Sequence, residues 1–260
     1  MTAVVHPFLT LDRPGAVRAI AHRGGGGPVE NTLAAFSSAV SLGYRHLETD
    51  LHVTRDGVLV ISHDPTLARV AGDARAVADL TWDELSAVRV GGAEPVPAFV
   101  ELVDAFPDAR LTVDLKCDSA VAPMVRLLEE RPELLDRICL GSFSTSRVVA
   151  MRRRFGARLM TAATPSEILR LVVSVRVGRR PPLLEAGCVA VPERYPERGR
   201  GLPVGDGRVL ATAAELGLAV HVWTVNDPDR MRHLVAAGAS GIVTDELGLL
   251  RDTLVAADRW

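Results

Sequence analysis

The 260-residue sequence predicts an α/β protein folded as a (β/α)8 TIM barrel. Short apolar runs alternate with longer amphipathic segments from about residue 17 onward, which is the pattern of repeated strand–helix units. Eight of the short runs are strand candidates, and Val, Ile and Leu recur in them, as parallel strands buried on both faces require. Barrels of this kind commonly take about 250 residues as one unit. We therefore expect one domain over residues 1–260, with a doubly wound parallel sheet as the alternative.

The strands and helices can be assigned in order along the chain. The expected strands are Val17–His22, Arg45–Asp50, Arg110–Lys116, Ile138–Phe143, Arg158–Ala163, Cys188–Pro192, Ala219–Val225 and Gly241–Asp245. The helical segments include Asn31–Leu42, Val121–Leu128, Thr145–Phe155, Pro165–Val175, Arg208–Leu216, Asp229–Ala237 and Leu247–Ala257. Glycine adopts left-handed backbone angles readily and so ends helices, and it follows several of these segments, at Gly43, Gly156, Gly217 and Gly238.

One region, Leu51–Ala109, breaks the alternation after the second strand. Arg55-Asp56-Gly57 predicts the turn of a hairpin, and Trp82–Val88 predicts a short helix. The helix Pro97–Phe106 then resumes the pattern. We interpret the region as a small hairpin and helix insertion in the barrel.

Composition limits the possible partners and location. The net charge is −2, and no basic stripe is interleaved with aromatic residues, so a nucleic-acid partner is not expected. The 3 cysteines show no CxxC spacing, which favours a reducing compartment. No signal-peptide pattern and no apolar run of roughly 18 residues is present, so we expect a cytoplasmic protein without stable membrane insertion. No feature of the sequence indicates an oligomeric state.

Three carboxylates are expected to meet at the carboxyl ends of neighbouring strands, where barrels build their active sites. Glu48 and Asp50 are two residues apart on one strand, so they share a face, and the adjacent parallel strand brings Asp114 to the same height. Without a cation the three groups would repel one another, whereas Mg²⁺ or Ca²⁺ accepts such oxygen ligands. Ion pairs with arginines are the alternative explanation of the same spacing.

Two histidines and two cations also stand at strand ends. His22-Arg23 precedes four glycines that permit close backbone approach to a ligand, and His63 is followed by Asp64, which would orient it. Lys116 is the single lysine of a chain with 29 arginines, which suggests a site that needs a compact cation. Two imidazoles, three carboxylates and two fixed cations suit phosphodiester cleavage.

Five stretches in the first third of the chain resemble the signature of the glycerophosphodiester phosphodiesterase family, in its usual order. They are His22-Arg23-Gly24, Glu30-Asn31-Thr32-Leu33-Ala34-Ala35-Phe36, Glu48-Thr49-Asp50, Thr54-Arg55-Asp56-Gly57 and His63-Asp64-Pro65-Thr66-Leu67. Later pieces that match are Val113-Asp114-Leu115-Lys116, Ser142-Phe143, Trp223-Thr224-Val225-Asn226 and Gly241-Ile242-Val243-Thr244-Asp245. The resemblance covers residues 17–250.

The resemblance implies a TIM barrel that hydrolyses glycerophosphodiesters, as small-molecule substrates, to an alcohol and glycerol 3-phosphate. It implies one divalent metal ion, Mg²⁺ or Ca²⁺, as the cofactor. The roles carried over are acid and base for His22 and His63, metal ligands for Glu48, Asp50 and Asp114, phosphate contacts for Arg23 and Lys116, and pocket lining for Trp223.

Two departures from the family pattern bear on the site. Asp114 stands where the family usually has Glu, which shortens the reach to a metal by one methylene group, and Pro28-Val29-Glu30 replaces the family's Pro-Glu. Two other functions remain alternatives. A lysophospholipase D would act on the same phosphodiester in single-chain lipids, and a binding barrel would keep the fold without turnover.

Overall fold

The computed structural model describes residues 6–11, 13–195 and 202–260 and contains a parallel barrel. Eight parallel strands neighbour one another in the order β8-β7-β6-β2-β1-β13-β12-β9, and a parallel bridge between Ala162 and Cys188 joins the two edges. These strands are β1 (Arg18–His22), β2 (His46–Val53), β6 (Arg110–Leu115), β7 (Ile138–Gly141), β8 (Met160–Thr161), β9 (Cys188–Pro192), β12 (Ala219–Trp223) and β13 (Gly241–Thr244). The predicted (β/α)8 barrel is confirmed, and every expected strand is present.

Ten α-helices lie in the described part of the chain, most of them between successive barrel strands. They are α1 (Leu33–Ser41), α2 (Ala68–Ala71), α3 (Trp82–Ser86), α4 (Phe99–Ala105), α5 (Val121–Glu130), α6 (Thr145–Phe155), α7 (Pro165–Arg176), α8 (Gly207–Glu215), α9 (Pro228–Ala236) and α10 (Leu247–Ala256). Side-chain caps fix several starts; for example, Thr32 accepts a hydrogen bond from the amide of Ala35 at the start of α1. Among the described residues, no helix is both long and apolar enough to span a membrane.

The insertion after β2 forms as predicted and has its own small core. β3 (Leu59–Ile61) pairs antiparallel with β2 through the expected turn, in which Gly57 has a φ of 88°. The short strands β4 (Arg89–Val90) and β5 (Glu94–Pro95) form a second hairpin after α3. The apolar side chains buried beneath these elements are Val60, Leu67, Val77, Leu80, Leu85, Val90 and Val96. This core holds α2 and β3 firmly at the side of the barrel next to β2.

A short 3-10 turn, Pro7–Leu9, covers the amino-terminal end of the barrel. Phe8 is fully buried there and packs against Cys139 and Cys188. The Sγ atoms of these two cysteines are 3.4 Å apart, within hydrogen-bond distance, and form no disulfide. A further pair of two-residue strands, β10 (Arg194–Tyr195) and β11 (Leu202–Pro203), lies after β9.

Candidate active site

The carboxyl ends of three adjacent strands bring the candidate residues together. In the strand register His22 of β1 pairs with Glu48 of β2, and Asp50 of β2 pairs with Asp114 of β6. His63 lies just after β3. The residue between them, Ser62, donates its amide to the carbonyl of Asp50 at 3.0 Å, which holds this segment beside β2. Seven of the eight candidate residues thus stand on the rim built by β1, β2, β3 and β6: His22, Arg23, Glu48, Asp50, His63, Asp114 and Lys116.

The loop after β1 needs its unusual glycine content. Arg23 and Asn31 both adopt left-handed backbone angles, with φ of 53° and 60°, and all four glycines between them have positive φ. A Cβ atom on Gly26 would lie 2.8 Å from Oδ1 of Asp245, and one on Gly24 would lie 2.8 Å from the Cβ of Ala35. The glycines therefore let the loop fold closely against α1 and the end of β13.

His22 is held by a carboxylate that the sequence assigned no role. Its Nδ1 lies 2.6 Å from Oδ1 of Asp245, and its Nε2 lies 3.9 Å from Oε2 of Glu48. Burial alone lowers the pKa of His22, but the hydrogen bond to Asp245 and the charge of Glu48 outweigh burial and raise it above its usual value. Asn226 donates to the other oxygen of Asp245 at 2.9 Å and so fixes this carboxylate.

His63 has the same kind of partner. Its Nδ1 lies 2.7 Å from Oδ1 of Asp64, the residue expected to orient it. The other oxygen of Asp64 accepts a hydrogen bond from Nε of Arg69 at 2.6 Å. Both candidate histidines therefore use Nδ1 for a carboxylate, which leaves Nε2 of each ring for other chemistry.

Asp50 is the most densely bound carboxylate of the rim. Oδ1 lies 2.8 Å from Nζ of Lys116, while Oδ2 lies 3.1 Å from Nδ2 of Asn31 and 3.2 Å from Nε of Arg23. That last contact is an ion pair without hydrogen-bond alignment, because Nε of Arg23 has no aligned acceptor. Burial raises the pKa of Asp50, but Lys116 and Arg23 outweigh it and lower the pKa below its usual value.

Glu48 and Asp114, in contrast, keep unused acceptor capacity. Burial and the nearby charge of Asp50 raise the pKa of Glu48 to about 8. Its one hydrogen bond from a described residue is the amide of Arg23, 3.3 Å from Oε2. Oδ1 of Asp114 is buried without a partner, while Oδ2 lies 2.7 Å from Nζ of Lys116.

These carboxylates fit a divalent cation in the chemistry of their donors. Hard cations take carboxylate oxygens; Oδ1 of Asp114 is buried without a donor, and Glu48 accepts a single hydrogen bond from the described residues. The arrangement described here gives the position between Asp50 and Asp114 to the ammonium of Lys116. Among residues 6–11, 13–195 and 202–260, no group of three or more His, Cys, Asp and Glu is spaced to hold a metal in this arrangement.

An aromatic pair lies beside Lys116. The ammonium is 5.9 Å from the ring centroid of Phe143, and that ring meets Trp223 edge to face at 6.1 Å. The side chain of Phe143 is well exposed, at 62%. The aromatic pair and Lys116 together form an apolar wall with one cation at the rim.

Sequence reasoning missed four residues that support the rim: Glu30, Arg69, Asn226 and Asp245. The sequence indicates Asp245 only as the last residue of an expected strand and of a matching motif, without a role. Because β13 pairs with β1 in the closed barrel, Asp245 lies next to His22 although 223 positions separate them along the chain. Placing the last strand beside the first would have revealed this pair.

An eight-stranded parallel barrel with imidazoles, carboxylates and cations at one rim has the organisation of a barrel enzyme. The family model that matches residues 22–249 is the glycerophosphoryl diester phosphodiesterase family. The chain belongs to this family, which confirms the resemblance noted in the sequence and places the protein among the phosphoric diester hydrolases.

Similar proteins agree with this assignment. A probable glycerophosphodiester phosphodiesterase 2 from Mycobacterium tuberculosis is 34% identical, over 98% of this chain and 97% of the relative. A solved putative glycerophosphoryl diester phosphodiesterase from Silicibacter pomeroyi has a TM-score of 0.76 at 26% identity and covers 94% of this chain and 95% of its own. A phosphodiesterase from Oleispira antarctica, solved with sn-glycerol-3-phosphate, shares the fold with a TM-score of 0.74 at 20% identity, covering 92% of this chain and 97% of its own.

Proposed function

We propose that the protein hydrolyses glycerophosphodiesters to an alcohol and glycerol 3-phosphate, with His22 and His63 as the acid–base pair and with a divalent metal ion as cofactor. The observation that carries the proposal is the matched bonding of the two imidazoles. Each holds a carboxylate at Nδ1, at 2.6 Å for His22 and 2.7 Å for His63, so each has Nε2 available for a proton transfer.

The reaction divides between the two histidines. One imidazole accepts the proton of the attacking hydroxyl, which belongs to water or to the glycerol part of the substrate. In the second case a cyclic phosphate forms transiently and water opens it. The other imidazole protonates the oxygen of the leaving alcohol, so that the P–O bond breaks without release of an alkoxide. Asp64 and Asp245 hold the two rings in the orientation that this transfer needs.

Positive groups balance the charge of the phosphoryl oxygens. Arg23 and Lys116 lie at the rim as fixed cations, and Glu48, Asp50 and Asp114 would hold the metal ion. When bound, Mg²⁺ or Ca²⁺ supplies Lewis-acid stabilisation of the phosphoryl oxygens. Lys116 contacts both Asp50 and Asp114, so its charge also offsets the repulsion between those carboxylates.

The aromatic wall favours contact with the carbon part of a small-molecule substrate. Trp223 and Phe143 stand beside Lys116, where a substrate with its phosphate at the rim would place its glycerol or its alcohol group. This placement supports the expected role of Trp223 in lining the pocket.

The direct test is release of glycerol 3-phosphate from glycerophosphocholine and glycerophosphoethanolamine by the purified protein in Mg²⁺ or Ca²⁺. We expect His22→Ala and His63→Ala each to lower kcat by about 1,000-fold, in the range of lost acid–base catalysis. His233→Ala is the matched control, because His233 is exposed on α9, and it should retain full activity. Full activity in either rim variant would refute the assignment.

Metal removal and alternative substrates complete this test. Chelation by EDTA should abolish product release, and added Mg²⁺ or Ca²⁺ should restore it; activity that survives chelation would refute the cofactor. Faster turnover of lysophosphatidylcholine than of glycerophosphocholine would favour the lysophospholipase D function. Binding of glycerophosphocholine without turnover would identify a binding barrel.

A further inference from the structure

An unbroken series of charged contacts crosses the boundary between the barrel and the insertion. Its five steps measure 2.7, 2.6, 2.7, 3.0 and 3.2 Å and join, in order, His63, Asp64, Arg69, Glu30, Arg23 and Asp50. The series links a proposed catalytic histidine on the insertion to a proposed phosphate contact and a proposed metal ligand on the barrel. The motifs seen in the sequence include every member except Arg69.

Arg69 occupies the middle of this series. It stands on the four-residue helix α2 and uses two nitrogens for two different carboxylates, Nε for Asp64 and Nη2 for Glu30. The planar guanidinium fixes the directions of both bonds at once, which a lysine ammonium cannot do. Burial raises the pKa of both carboxyls, but bonds with His63 and Arg69 outweigh it at Asp64, and bonds with Arg69 and Arg23 outweigh it at Glu30, so that both pKa values are lowered.

Each of the two carboxylates orients one rim residue: Asp64 orients His63, and Glu30 orients Arg23. Oδ2 of Asp64 is used by Arg69, so Oδ1 is the oxygen that faces Nδ1 of His63. Oε1 of Glu30 is shared between Arg69 and Nη1 of Arg23. Without Arg69, Asp64 would be free to rotate away from His63, and Glu30 would keep a single charged partner.

We propose that Arg69 is a positioning residue that holds His63 and Arg23 in one frame, through Asp64 and Glu30. The proposal deepens the proposed function and rests on it. Its role is to position other groups, because its side chain is half exposed and bonds to two carboxylates, Asp64 and Glu30, that in turn bond to His63 and Arg23.

Other arginines of the insertion show what a purely local ion pair looks like. Arg55 bonds to Glu84 and to the carbonyl of Asp79, and Arg75 bonds to Asp73. None of these partners contacts the rim in the described structure. Exposed pairs of this kind contribute little to stability, and their removal should leave catalysis unchanged.

The first experiment compares Arg69→Met with Arg55→Met in steady-state assays with glycerophosphocholine and saturating Mg²⁺. We expect Arg69→Met to lower kcat about 10- to 100-fold, the usual effect of losing a residue that orients a reacting group. Arg69→Lys should stay several-fold slow, since a point charge cannot serve both carboxylates. Arg55→Met should match the wild type. Wild-type kcat in Arg69→Met would overturn the proposal.

A double-mutant cycle separates positioning from a general loss of structure. Asp64→Asn should lower kcat by itself, and the double variant Asp64→Asn/Arg69→Met should be little slower than the slower single variant, because both act on His63. Two effects that multiply in full would show that Arg69 does not act through Asp64 and would overturn the proposal.

A measurement that does not need turnover keeps this proposal separate from the proposed function. NMR of protein with ¹⁵N-labelled histidine, assigned with His63→Gln, reports which ring nitrogen of His63 carries the proton. The wild type and Arg55→Met should show the proton on Nδ1, and Arg69→Met should show a mixture of tautomers. Unchanged His63 signals in Arg69→Met would overturn the proposal that Arg69 positions His63. A wild type that releases no glycerol 3-phosphate refutes the proposed function, while the NMR result still decides the role of Arg69.

Discussion

A histidine lies at each end of the barrel, and the two have pKa values shifted in opposite directions. His22 ends β1, and its pKa is raised because Asp245 and Glu48 outweigh burial. His46 begins β2, where burial, reinforced by the charges of Arg18 and His221, lowers its pKa well below the usual value. At the first end a carboxylate binds the ring; at the second, Phe8 packs edge to face on it at 5.7 Å.

The comparison shows that the surroundings of a histidine depend on which end of the barrel it occupies, and not on the residue type alone. The carboxyl end opens on loops that supply polar partners and admit a ligand, while the amino-terminal end is sealed by an apolar turn. Nε2 of His46 and both ring nitrogens of His221 are buried without hydrogen bonds in the described structure. At this end both histidines pack as buried side chains of the barrel interior.

The largest expected effect comes from opening the sealed end. Phe8→Ala should lower the free energy of unfolding by about 3 kcal/mol, because a fully buried ring leaves a cavity, yet leave kcat unchanged in the folded protein. Phe143→Ala at the rim is the matched control and should lower it by less than about 1 kcal/mol, since that ring is exposed. Urea titrations measure both. Equal losses would break the comparison between the two ends.

Next in size is the loss of the carboxylate that binds His22. Asp245→Asn keeps the side-chain volume but only part of the contact with Asn226. It removes the negative charge that holds the imidazole of His22. We expect kcat to fall about 100-fold, which corresponds to about 2.7 kcal/mol, with a stability close to that of the wild type. Measurement of kcat and KM together with the urea midpoint tests this. A variant with unchanged kcat would show that His22 needs no partner at Nδ1.

A smaller effect is expected at a saturated carboxylate. Glu167 accepts hydrogen bonds from Arg152, from both the amide and the hydroxyl of Thr164, and from the amide of Glu185. Burial raises its pKa, but these bonds outweigh burial and lower it, whereas the pKa of the poorly satisfied Glu48 is raised to about 8. We therefore expect Glu167 to have a structural role, whereas Glu48 keeps acceptor capacity for the proposed metal ion.

Glu167→Gln should therefore lower the free energy of unfolding without lowering kcat. We expect a loss of about 2 kcal/mol at pH 7, in the range of hydrogen bonds to a charged group. A lowered pKa in the folded state contributes stability that is present above the unfolded value near 4.5 and is lost as pH falls through the folded value. The difference between the variant and the wild type should thus shrink below about pH 4.5 in urea titrations. A constant difference would contradict the role given to the charge.

The sequence predicts the barrel well because its strands are buried on both faces and repeat at regular spacing. Strand ends are predicted less well, since side chains decide them. The strand expected at Ile138–Phe143 ends at Gly141, because Ser142 donates its hydroxyl to the carbonyl of Leu115 and accepts the amide of Ser144, which turns the chain into α6. Arg158–Ala163 contracts to Met160–Thr161 after a 3-10 turn that ends at Arg158.

The site divides in the same way. Spacing along one strand places Glu48 and Asp50, and the adjacent strand places Asp114. Asp245 and Arg69 needed the closed barrel and the folded insertion, because their partners are distant in sequence and their bonds depend on three-dimensional packing. The position of Lys116 between two carboxylates was also not predicted; the sequence indicated only that this site uses a lysine among arginines.

The smallest predicted effect tests why this position has a lysine in a chain that otherwise uses arginine. Nζ of Lys116 lies 2.8 Å from Asp50 and 2.7 Å from Asp114, so one compact charge serves both carboxylates. Lys116→Arg keeps the charge but brings a longer, planar group into the same space beside Phe143. We expect kcat/KM to fall about tenfold, or about 1.4 kcal/mol. Arg13→Lys, which alters an exposed pair with Asp258, is the control and should have no effect. If Lys116→Arg is fully active, any cation suffices at this position, and the rim does not select a compact one.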